Sequence, residues 1–183
     1  MKRENLSDIV ETAGLLNQTL RKLIVTENGI HAETIIAASA RMTGTLLLRH
    51  VAPEVADLQP GGNLVCEAAN RQGPALMRTM FATLQQLGHA DLDENSLQDR
   101  QDSTASSRLS LAETQERLDP WFHSIARVRQ QPLDEVAVAG AIATGMLIHD
   151  CQSVLDIHAA CSIAIYGLIE ATRTVPVPLS VAA

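Results

Sequence analysis

The residues whose types suggest chemistry gather near the end of the chain. His149 and Asp150 are adjacent, and His158, Ser162, Tyr166 and Glu170 then follow at four-residue spacing, with Arg173 three further on. Four-residue steps put neighbours on one face of a helix, so this line predicts a polar stripe on an otherwise apolar element. Imidazole and carboxylate groups are the common acids and bases of enzyme sites. His149, Asp150, His158, Tyr166 and Glu170 are therefore the candidate ligand-binding set, lining a polar cleft. The plainer reading is structural: a histidine at a helix end complements the negative terminus, and a polar line is the face that meets solvent. Asp156, two residues before His158, points away from it in a helix. The sequence singles out no catalytic residue.

Metal and cofactor chemistry finds no motif. His31 and Glu33 are two residues apart and do not share a helical face. Helix-bundle metal centres carry Glu-x-x-His pairs, and the chain has none. The acidic stretch 91–108 lacks the calcium-loop spacing. Cys66, Cys151 and Cys161 form no CxxC pair, which points to reduced thiols and not a zinc site or a disulfide framework. Gly61-Gly62 is not followed by the Gly-Lys-Ser/Thr of a phosphate loop. The expectation is no metal and no cofactor.

Composition narrows the partners. The 183 residues carry a net charge of −7 with 2% aromatics, which argues against a nucleic-acid surface and its stacking platforms. Hydrophobic content of 46% is that of a chain able to build a core. The longest uncharged run in the C-terminal part, 136–148, falls short of the roughly 20 residues of a membrane span. The start of the chain is charged and lacks the apolar core of a signal peptide, so a cytoplasmic location is expected.

The elements that must position these residues read as helices. Leu6, Ile9, Val10, Ala13, Leu16 and Leu20 follow three- and four-residue steps, predicting an amphipathic helix over 7–27. A second is expected over 31–49, ahead of a break at 53–62. A third covers 72–87, interrupted at its start by Gly73-Pro74. Ser110 and Glu113 form a capping box for a fourth helix, kinked or split at Pro120. The most apolar part, 132–175, reads as two consecutive helices in the middle of the molecule, the second from about Ser153. Ala137, Ala141 and Gly145 give the first of them a side with almost no bulk. After Arg173 the prolines Pro176 and Pro178 enforce an extended tail, 174–183, frayed or laid over a neighbouring subunit.

With a shift of 101 residues, Ala38, Ala40, Thr43, Gly44 and Leu46 match Ala139, Ala141, Thr144, Gly145 and Leu147. This suggests two pseudo-repeated three-helix halves, 7–88 and 110–172, joined by a polar linker at 91–108; the alternative is mere likeness of two core helices. The sequence thus predicts an all-α, single-domain bundle of about six helices. Its expected role is a homodimeric protein-interaction module with a possible protein partner, and no nucleic acid or membrane. The runner-up is a small-molecule-binding or enzymatic helical domain.

Overall fold

The computed structural model describes residues 3–92 and 107–179, with side chains from Leu6 onward. Six α-helices and one short 3-10 helix account for its regular structure: α1 (Arg3–Ile24), α2 (Ala32–Val51), the 3-10 turn Pro53–Asp57, α3 (Glu67–Gln86), α4 (Leu111–Arg129), α5 (Leu133–Asp150) and α6 (Ile157–Thr172). The all-helical bundle expected from the sequence is what forms. No described helix is long and apolar enough to cross a membrane. The greater part of the predicted linker, 93–106, and the end of the tail, 180–183, lie outside the described residues.

The expected helices of 132–175 are largely buried, but the most enclosed helix of the bundle is α2. Every residue from Thr34 to Leu48 is buried, because α2 packs most extensively against α6 and then α5, while α5 and α6 touch each other only slightly. Such a helix has no polar face to spare, and its apolar residues go right round. In turn α5 is flanked by α1, α2 and α3. Helices adjacent in sequence make little contact, so the core is built almost entirely from distant parts of the chain.

Two prolines fall inside continuous helices. Pro74 sits within α3 and Pro120 within α4, where the sequence suggested an interruption and a kink or split. An interior proline costs about 3 kcal/mol. Beyond Pro120, Phe122 is fully buried and Ala126 nearly so, and Leu118 before it is fully buried too. Burying a large apolar side chain is worth roughly 1.5–3 kcal/mol, so keeping this face in register outweighs the proline. The start of α4 follows the sequence: Ser110 accepts from the Glu113 backbone N–H and the Glu113 carboxylate accepts from Ser110 in return.

The remaining boundaries moved for local reasons. The sixth helix begins at Ile157 and not near Ser153, because the Asp156 side chain accepts from the Ala159 N–H at 3.0 Å and caps it there. The described part of the tail, 174–179, is held by the chain itself. Gly61 N donates to Val175 O and Val175 N to Gly62 O, both at 2.8 Å, while Arg49 Nη2 donates to Val177 O at 2.6 Å.

Candidate functional site

The five residues singled out in sequence occupy α5 and α6, and those with a described side-chain partner take it from three different places. His149, in the last turn of α5, has its Nδ1 2.9 Å from Nε2 of His89, which follows α3. The two rings meet edge to face with centroids 5.2 Å apart. One must donate and the other accept, so the bond exists only while at least one ring is neutral. Asp150 Oδ2 accepts from Arg21 of α1 at 2.6 Å, an exposed pair. Glu170 Oε2 accepts from Arg41 Nε of α2 at 2.8 Å. His158 and Tyr166 are half-buried on α6, and Ser162 donates to the His158 carbonyl at 2.9 Å. The twelve steps from His158 to Glu170 span about 18 Å of helix, so the line is extended along α6.

Two arginines, Arg41 buried and Arg49 half-buried, were not singled out by sequence. Arg41 lies in the middle of α2 with only 5% of its side chain exposed. Besides Glu170, it donates from Nη1 to the Leu109 carbonyl at 2.6 Å and to Ser107 Oγ at 3.3 Å, tying the entry of α4 to the core. A lone arginine in the run IIAASARMTG was the available signal, since an unpaired buried guanidinium is too costly to occur. Arg49 meets Asp119 through Nε and Nη2 at 3.0 and 2.7 Å, with side chains 10% and 2% exposed. His123 Nδ1 lies 3.0 Å from the other Asp119 oxygen, but its alignment does not make a hydrogen bond. His31 and Glu33 do touch, at 3.2 Å. They can because His31 is the residue before α2, in extended conformation, so helical spacing does not apply to it.

A concavity lies elsewhere. An open cleft of about 390 Å³ runs between α1, α2, α3 and the start of α5, with Ile9, Leu47, Leu76 and Val138 as apolar wall and Gln72, Asp134 and Glu135 as polar groups. His50 Nε2 lies 3.7 Å from Asp134 Oδ2. The other Asp134 oxygen is enclosed and has no hydrogen-bond partner among the described residues. Carboxylates over an apolar wall can receive a cationic head on a hydrocarbon body. Among the described residues, no group of three His, Cys, Asp or Glu side chains is placed to hold a metal ion.

The cysteines are free thiols. Burial pushes the Cys161 thiol up to about 12, with the nearby Asp156 adding to the effect. Burial also raises Cys151, opposed by Arg21 and reinforced by Asp150 and Glu33. Neither environment produces the thiolate that nucleophilic catalysis requires. No protein-family model, no curated protein and no solved structure matches the chain.

Proposed function

We propose that the protein is a cytoplasmic protein-interaction module that acts by pairing with a second copy of itself through the seam between α1 and α4. The supporting observation is an apolar line on α4: the single tryptophan, Trp121, is 52% exposed and Val128 75% exposed, with half-buried Ile125 between them. Spacings of four and three residues put all three on one helical face. That face borders α1, because Arg117 reaches the Leu23 carbonyl at 3.5 Å and Arg129 reaches Glu11 at 2.9 Å. The same contacts set the two helices antiparallel and bring Leu15, 40% exposed, to the same seam. Contiguous exposed apolar surface of this kind marks interaction sites, and tryptophan is the residue most enriched at their centres.

Size-exclusion chromatography with light scattering, run from low to high micromolar concentration, tests the reading. A dimer that Trp121→Glu converts to monomer without loss of helical signal supports it. A wild-type chain that stays monomeric throughout refutes it.

The α5 cleft supports a second reading, binding of an organic cation at Asp134. A thermal-shift screen of primary amines and guanidines tests it, since a ligand of the folded state raises the melting temperature. Stabilisation that survives Asp134→Asn would exclude that site.

A further inference from the structure

The contacts of the first three helices recur in the last three under one fixed shift for each helix: 98 residues from α1 to α4, 101 from α2 to α5, and 88 from α3 to α6. Thr43 Oγ1 donates to Ser39 O at 2.9 Å, and its counterpart Thr144 to Gly140 O at 2.8 Å. Across the α2–α5 crossing, Ser39 Oγ lies 2.8 Å from Thr144 Oγ1. The mirrored position brings Gly140 against Thr43, where a Cβ would stand 2.5 Å from Oγ1. Gly44 abuts Leu168 O and Ala171 Cβ of α6, and Gly145 abuts Met80 O and Thr83 Cβ of α3, the residues that the α3-to-α6 shift requires.

The outer helices obey the same rule. Arg21 of α1 meets Asp150 of α5, while Asp119 of α4 meets Arg49 of α2, the equivalent pair with its charges reversed. A small apolar cavity of about 10 Å³ lies between α2, α3, α5 and α6. From α2 and α5 it is lined by Ala40 and Thr43 and by their counterparts Ala141 and Thr144. From α3 it takes Leu76, Met77 and Met80, and from α6 their counterparts Ala164, Ile165 and Leu168. Every lining residue has its mate in the other half. The main packing, α2 with α6 and α5 with α3, also runs between the halves and not within them.

We infer that α1–α3 and α4–α6 are two copies of one three-helix unit, and that the surface joining them is a homodimer-type interface enclosed within one chain. Each half presents, through α2 or α5, a face that fits a second copy of the same unit. A two-fold interface requires residue i to touch j and the equivalent of j to touch the equivalent of i, and the paired contacts above satisfy that condition at three separate places. Shared helical composition does not produce it.

Full-length exchange variants test the inference. In the first, Leu76 is exchanged with Ala164, Met77 with Ile165 and Met80 with Leu168. In the second, the same α3 residues are exchanged one turn out of register, Leu76 with Ala160, Met77 with Cys161 and Met80 with Ala164. Both conserve total side-chain volume. In urea unfolding, the in-register exchange should keep a midpoint close to the parent, and the out-of-register exchange should lose a molar or more or fail to fold. If the in-register variant falls as far as the other, the halves are not equivalent. If both keep the parent midpoint, volume alone governs the site and the inference is overturned as well.

Discussion

Replacing Gly44 by alanine sets two opposed effects against each other at one atom. Alanine in a helix interior is worth about 1 kcal/mol over glycine. At Gly44 the added Cβ would stand 2.7 Å from the Leu168 carbonyl oxygen and 2.9 Å from Ala171 Cβ. The first of these is backbone and the second a methyl with no rotamer to change, so α6 itself must move. Overpacking of this kind costs typically 1–3 kcal/mol, and with two such contacts the upper part of the range applies. The expected net loss is therefore about 1–2 kcal/mol. With a urea slope of about 2 kcal/mol per molar, the midpoint should fall by roughly 0.5–1 M.

Two further glycines calibrate the result. Gly14, on α1, has nothing within 4 Å of a built Cβ, so Gly14→Ala should raise the midpoint through its gain of about 0.5–1 kcal/mol. Gly145 is intermediate: its Cβ would lie 3.0 Å from Met80 O and from Thr83 Cβ, so Gly145→Ala should fall between the other two. The order Gly14, Gly145, Gly44 from most to least stable is the outcome to look for. A Gly44→Ala chain at or above the wild-type midpoint, with unchanged slope, would refute the close α2–α6 crossing.

Asp119→Ala should cost about 3 kcal/mol, since it strands a guanidinium only 10% exposed, whereas Arg21→Ala at the exposed equivalent pair should cost less than about 1 kcal/mol; denaturant midpoints of the two variants decide. Mass spectrometry after iodoacetamide treatment at pH 8 should find Cys161 unmodified in native protein and modified in denaturant, because burial raises its thiol to about 12 and only the thiolate reacts. Glu113 is held below its ordinary value, first by the Ser110 backbone N–H and then by the Ser110 hydroxyl. A depressed carboxylate stabilises above its unfolded pKa and loses that contribution as pH falls through the folded one. Ser110→Ala should therefore cost about 1 kcal/mol at pH 7, and its gap from wild type should narrow as the pH drops below about 4. A gap that is the same at both pH values would rule out the bond from the Ser110 hydroxyl to the Glu113 carboxylate.

The fold class was legible because helical periodicity is a local property. Leu16, Leu20 and Ile24 lie on one face whatever surrounds them, and the Ser110–Glu113 box spans one turn. Which helix would be central was not legible. α2 and α5 are both apolar and both enclosed, and only the packing with α6 makes α2 the more enclosed of the two. The partners of the candidate polar residues were equally hidden: His149 meets His89, 60 positions away, and Arg21 meets Asp150 and Arg41 meets Glu170, each 129 positions apart. Pro120 misled for the opposite reason. Its local rule is sound, but Leu118 and Phe122 bury enough surface on either side to override it.

The near-absence of packing between sequence neighbours also sets the order in which the chain can acquire structure. While it is being made, α2 is complete at Val51, yet the helices that enclose it, α5 and α6, begin only at Leu133 and Ile157. At about 5–20 residues per second, the nascent chain carries the apolar surface of α2 uncovered for several seconds. Folding must then close loops of a hundred residues before the core rewards it, which slows the search relative to a bundle of neighbouring hairpins. Until α6 is out of the ribosome, the side of α2 that α6 covers stays open to aggregation.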